Sequence, residues 1–272
     1  MTQSTVTSGG AASRRRILVG VDSSDNASRA AAWSAREAAD RGLALHLVHA
    51  LDLPTATGMA VEPPDYVVKQ TEAGRKLVDR LAADLRERHP GLAVTTELSE
   101  RGAVETLVHL SRDAQLVVTG TRGHGGFAGM LLGSVSHALA AHAHCPAVVM
   151  RGQEPAEPLG EIMVGVEHGQ AEAPIRFAFD TAVTVGASVA IVRAWWPNTA
   201  FSGDGGYSVA PDIDSLQAGE EADVATLVKA IRDEYLQVET TIRVIQGNPV
   251  PTLTNAARGS RLLVVGAHRH RG

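Results

Sequence analysis

The chain repeats itself, and this constrains its fold more than any other feature. The segment "RRILVGVDSSDNASRAAAWSAREAADRGLALHLVHALD" lines up with "GEIMVGVEHGQAEAPIRFAFDTAVTVGASVAIVRAWWP", and "TLVHLSRDAQLVVTGTRG" with "TLTNAARGSRLLVVGAHR". Gly20 meets Gly165, Asp22 meets Glu167, Ala50 meets Ala194 and Gly120 meets Gly266, at offsets that stay between 144 and 146 residues. A period of that size is a duplicated domain. The expected organisation is a polar tail over 1–14, a first domain over 15–151, a linker over 152–160 and a second domain over 161–272. Prolines and glutamates in "RGQEPAEPLG" mark the joint as a solvated linker.

Both halves share one pattern. An unbroken apolar run ("RILVGVD" or "IMVGVE") predicts a strand buried on both faces. An amphipathic helix follows, over about 26–41 or 172–186, and then a second strand, "ALHLVHA" or "SVAIVRA". A variable loop leads to a long helix, over about 63–89 or 213–235. A third strand, a short helix and a fourth strand ("QLVVTG" or "RLLVVG") complete the shared part. Only the first half continues, with a helix at about 134–143 and a fifth strand, "PAVVM". Strands alternating with helices imply two tandem α/β domains, each a doubly wound parallel sheet. In such sheets ligands bind beyond the carboxyl ends of the strands, where the strand order reverses. Asp22, Ala50 and Gly120 all fall at predicted strand ends.

Composition narrows the function. No run reaches 18 apolar residues, which predicts no membrane-spanning helix. The opening "MTQSTVTSGGAASRRR" places its charges last, unlike a secretory signal. The single Cys145 suits a reducing compartment, and the expected location is cytoplasmic. A net charge of −5 and a pI of about 6.1 argue against a nucleic-acid-binding face. Arg14–Arg16 reads as a solvated lead-in to the first strand.

The stretch "VVTGTRGHGGFAGMLLGSVS", 117–136, sets bare backbone between a strand and a helix. Converging backbone N–H groups at a helix start favour anions. Gly120 and Gly123 allow a phosphate to approach the backbone and allow positive φ. Ser134 either caps the next helix or donates its hydroxyl to a phosphate oxygen. Two other patterns are discounted. "GHGGFA" fits a dinucleotide fingerprint but follows the fourth strand instead of the first. "SGGAAS" precedes the first strand and lacks the aspartate of a pyrophosphatase loop, and no P-loop signature occurs.

Gly120-x2-Gly123-x9-Gly133-Ser134, with "ILVGVDSS" at the start and "GSVSHALAAHAHCPAVVM" at the close, resembles the ATP-binding universal stress proteins. The resemblance covers the chain from about residue 15 and is similar to the tandem, two-domain type found in actinobacteria. It implies a Rossmann-like fold of the adenine nucleotide alpha-hydrolase-like kind. It also implies ATP as ligand, bound with Mg²⁺ as ATP–Mg. Asp22 and Ser23 would line the nucleotide pocket, and Ala50 would offer backbone groups to the adenine edge. Gly120, Gly123, Gly133, Ser134, Val135 and Ser136 would hold ribose and phosphates. Gly125 would let the loop pass close to the phosphates. For Asp22, capping of the following helix stands as an equal reading.

The second half departs from this pattern. Glu167 replaces Asp22, Arg269 replaces Gly123, Arg271 replaces Gly125, and Gly133 and Ser134 have no counterparts. The expectation is a second domain, truncated before its last helix and strand, that binds ATP weakly or not at all. Its fourth strand becomes an open edge, and apolar edges recruit partners. A homodimer through sheet edges is therefore expected.

Dedicated catalytic chemistry is not legible. His137 and His142 are five apart, poor spacing for a shared metal on a helix, and "HRHR" reads as a terminal tail. Trp195 and Trp196 read as core or domain-interface packing, with capping of a second adenine pocket as the alternative. No nucleophile–base pair stands out. The resulting expectation is a nucleotide-binding regulatory protein of the stress response with an unidentified protein partner, not an enzyme, although slow ATP hydrolysis remains open. The rivals are a weak ATPase and a nucleotide-independent interaction module.

Overall fold

The computed structural model describes residues 16–51, 64–121, 132–151, 160–167, 172–196 and 212–267. The tail 1–14, all but the last residue of the linker 152–160, Arg269 and the "HRHR" run lie outside them. So do Gly123 and Gly125 of the glycine loop. The chain divides into two compact units, with the break between Glu154 and Pro155.

In the first domain, β1 (Arg16–Gly20) leads to α1 (Asp25–Asp40), β2 (Ala44–Ala50) and α2 (Pro64–Arg88). Next come β3 (Val94–Ser99), α3 (Ala103–Leu110), a single 3-10 turn (Ser111–Asp113), β4 (Leu116–Gly120), α4 (Ser134–His142) and β5 (Ala147–Met150). The strands lie in the order β3-β2-β1-β4-β5, and every pairing is parallel. The order reverses between β1 and β4, so a crevice opens there at the carboxyl edge.

The apolar strands are buried on both faces, as their lack of alternation predicts: Ile17, Leu18, Val19, Leu45, Leu47, Val117 and Val118 are fully buried. Helices α3 and α4 close one face, with Leu107, Leu139 and Ala143 packed on Leu18, Val48 and Val117. Helix α1 presents a buried stripe of alanines (Ala27, Ala30, Ala31, Ala35, Ala38). Such short side chains let its backbone lie close to the sheet.

The second domain repeats the plan with β6 (Ile162–Gly165), α5 (Ala173–Val185), β7 (Val189–Trp195) and α6 (Ile213–Glu234). It continues with β8 (Thr240–Gln246), α7 (Pro249–Ala256) and β9 (Leu262–Val265). Its strands run β8-β7-β6-β9, all parallel. Phe179, Ile175, Ile191, Val228 and Ile231 anchor its core. Among the described strands β9 ends this sheet, where β4 is followed by β5 in the first domain. Helix α7 buries none of its residues, whereas its counterpart α3 buries Leu107 under α4.

Candidate nucleotide cleft

The crevice at the strand reversal in the first domain is a cleft of about 550 Å³. This lies within the range of small-molecule sites, roughly 300–1,000 Å³. Five predicted residues line it: Asp22, Ser23, Ala50, Gly120 and Val135.

The floor is the turn after β1. Asp22 Oδ1 accepts from the Ser24 amide at 2.9 Å and from the Ser24 hydroxyl. Ser24 is the N-cap of α1, and its hydroxyl oxygen accepts from the Ala27 amide at 3.2 Å. Asp22 is therefore not itself the helix cap. It lines the cleft and orients the residue that caps.

Gly120 lines the cleft, and its missing side chain also serves the packing of α1. A Cβ there would stand 2.7 Å from Asn26 Cβ and 2.9 Å from the Asn26 carbonyl carbon. The space that a side chain would take is filled by the first turn of α1. Nor is Gly120 among the described glycines with positive φ. Its bareness brings the α1 N-terminus to the crevice.

One wall is the end of β2. Val48 O accepts from the Val21 amide at 2.9 Å, on the β1 side, while the Leu51 amide donates away to Ser99 O at 2.8 Å. By the alternation of parallel ladders, the backbone groups of Ala50 turn to the β1 side. Strand β1 ends at Gly20, so at Ala50 that side opens on the cleft. His49 Nδ1 is 2.8 Å from Val21 O, which makes Nδ1 the protonated donor nitrogen.

The third element is the start of α4. Gly133 is its N-cap, with no side-chain cap, and Ser134 is its first residue. Ser134 is thus not the cap. The Ser136 hydroxyl is buried and donates to Gly120 O at 2.8 Å, tying α4 to β4, so that side chain is spent on structure. Gly133, Ser134 and Ser136 do not line the cleft; Val135 alone of that turn does.

The sequence reading missed the opposite wall. Tyr66, Gln70, Ala73, Gly74 and Leu77 of α2 complete it. The available signal was Gly74 itself, a glycine inside a long helix, which marks close backbone approach.

The cleft of the second domain is smaller, about 300 Å³, and is lined by Glu167, Arg193 and Asp223 among others. Glu167 does reach that cleft, as expected of a longer acid in place of Asp22. Trp195 is buried and Trp196 is 69% exposed; neither lines the cleft, and Trp195 packs in the core. His137, His142 and His144 are exposed, and Arg112 Nε donates to His144 Nε2 at 3.3 Å.

Two copies of one α/β domain, the first with a cleft where its strand order reverses, define a tandem α/β protein. Both halves match the model of the universal stress protein family, over residues 13–151 and 159–272. The chain is 35% identical over 268 residues to universal stress protein Rv2623 of Mycobacterium tuberculosis H37Rv, covering 94% of this chain and 87% of that one. It is 30% identical over 264 residues to Rv2005c of the same strain, covering 94% and 88%. The chain belongs to the universal stress protein family. Among solved structures, a universal stress protein of Archaeoglobus fulgidus DSM 4304 superposes with a TM-score of 0.64 over 90% of this chain and 83% of that one, at 14% identity. A protein of unknown function from Pseudomonas aeruginosa PAO1 superposes at 0.55 over 95% and 84%, at 17% identity. These two likenesses concern the fold.

Proposed function

We propose that the first domain binds ATP, brought as ATP–Mg²⁺, and that the protein acts in the stress response as a nucleotide-dependent regulator. The observation that carries this reading is the convergence on one cleft of Asp22, the open backbone edge at Ala50, and Val135 in the first turn of α4, a helix with no side-chain cap. The apolar side chains of Leu51, Ala73 and Leu77 suit the faces of a base. Asp22 is the carboxylate at hand for ribose hydroxyls or for the ion that ATP carries. The glycine loop between Thr121 and Gly133 would supply backbone N–H groups to the phosphates.

Binding is favoured over turnover by the engagements of the titratable groups. Asp22 Oδ1 is held by Ser24 and His49 Nδ1 by Val21 O, so neither of these atoms is a free base. Bound nucleotide would bias conformation or partner choice. A homodimer through the β5 and β9 edges completes the proposal; a monomeric mass by light scattering at high concentration would refute that part.

The test is calorimetric titration of ATP–Mg²⁺ into nucleotide-stripped protein, beside a Gly123→Glu variant. One site per chain that the variant loses is the expected result. No uptake would leave an interaction module, and steady release of ADP would make the protein a slow ATPase.

A further inference from the structure

The two clefts overlap in the repeat, Val166, Glu167, Arg193 and Asp223 matching Val21, Asp22, His49 and Leu77, yet are built from different side chains. Helices α2 and α6 align through their buried ridges: Val78, Ala82 and Leu85 in one match Val224, Val228 and Ile231 in the other, at a constant offset of 146. That register sets Gly74 against Glu220 and Leu77 against Asp223. Since Ala50 matches Ala194, His49 matches Arg193.

These last two residues share an anchor. His49 Nδ1 donates to Val21 O at 2.8 Å, and Arg193 Nη1 donates to Val166 O, the equivalent carbonyl, at 3.4 Å. What faces them differs. In the first domain a Cβ at position 74 would lie 2.8 Å from His49 Cδ2, so the glycine lets α2 and the imidazole sit together while the cleft beyond stays open. In the second domain Glu220 extends a carboxylate into the matching place and meets Arg193 Nε at 3.0 Å. The two side chains are only 13% and 21% exposed. The guanidinium is held by Val166 O on one side and Glu220 on the other. Glu167 and Asp223 stand on the same cleft, so its lining is acidic where the first is largely apolar.

We propose that the second cleft is narrowed from within. The Arg193–Glu220 ion pair takes space that His49 and Gly74 leave to a ligand in the first domain. The chain therefore holds one adenine-nucleotide site and one copy narrowed by its own side chains. An ion pair this shielded serves as a strut whose removal leaves a buried charge unpaired. This inference rests on the nucleotide reading of the first domain.

Three measurements on the full chain test it. Placing arginine in the first cleft (His49→Arg, with Gly74 kept) should weaken ATP–Mg²⁺ at least tenfold, with near-UV circular dichroism unchanged. Emptying the second cleft (Arg193→His with Glu220→Ala) should add a second, weaker site for AMP in equilibrium dialysis. Arg193→Gln and Glu220→Gln should each lower the unfolding midpoint of the second domain, and the double variant should fall no further than the worse single one. Two sites in the wild-type chain, no added site in the emptied variant, or additive single effects would each overturn the proposal. Coupled single effects with no nucleotide uptake by the wild-type chain would instead refute the nucleotide reading of the first domain and leave the strut standing.

Discussion

Gly120→Ala tests whether the crevice is held open by the seating of α1 on β4. The new Cβ would lie 2.7 Å from Asn26 Cβ, 2.9 Å from the Asn26 carbonyl carbon and 3.2 Å from the Ala27 nitrogen. Carbon atoms rest at about 3.5–4.0 Å, so the methyl group is roughly 1 Å too close. Two of the three atoms are backbone and cannot rotate away. Overpacking of this kind costs about 1–3 kcal/mol. The lost freedom of the unfolded chain returns about 0.4–1 kcal/mol. The net expectation is destabilisation by about 1–2 kcal/mol, a fall in melting temperature of roughly 3–10 °C for a domain of this size. The matched control is Gly219→Ala, inside α6, where nothing lies within 4 Å of the added Cβ. There the same exchange should raise stability by about 0.5–1 kcal/mol. Differential scanning calorimetry is the assay, because it resolves domain transitions that differ in midpoint. ATP affinity should fall with the first-domain transition, since the α1 N-terminus and Asp22 move together. If Gly120→Ala melts at or above the wild type while Gly219→Ala behaves as stated, the tight seating is not what Gly120 is for.

Other outcomes follow from single contacts. Ser24→Ala removes the cap of α1 and the hydroxyl that Asp22 accepts, so stability should drop by about 1 kcal/mol in urea titration. Leu107→Ala, in the core under α4, should cost about 2–5 kcal/mol. The matching Leu253→Ala, on half-exposed α7, should cost clearly less, and equal losses in the two domains would contradict the difference in cover. His46 is buried between Thr95 and Glu97, at 2.7 Å and 3.0 Å. Burial lowers its pKa below the ordinary 6.5, partly offset by Glu97 and reinforced by Arg16. Below pH 6.5 the unfolded chain binds the proton first, so the contribution of His46 to stability is lost as pH falls from there to the depressed native value. His46→Gln should flatten the pH dependence of the melting temperature in that window, and an unchanged slope would refute the assignment.

Much of the fold was legible because it rests on local pattern. Unbroken apolar runs predict strands covered on both faces, and β2 spans Ala44–Ala50 as its run does. The repeat carried the same reading into the second half. The doubly wound parallel sheet followed from the βα alternation, and with it the place of Asp22, Ala50 and Gly120 at strand ends on one carboxyl edge. Spacing cannot say whether a bare glycine faces a ligand or a helix; at Gly120 it faces Asn26. Nor can it say which hydroxyl of "GSVS" is consumed internally, and Ser136 spends its own on Gly120 O.

The sequence by itself determined the duplication, the α/β class and the strand ends at which a ligand can sit. These follow from hydrophobic periodicity and from a repeat that survives divergence. The tertiary structure alone decided the wall that α2 contributes, because Gly74 and His49 are 25 residues apart and meet only when the helix packs on the sheet. It alone also decided the narrowing of the second cleft. Arg193 and Glu220 lie 27 positions apart and meet only when α6 packs on the sheet.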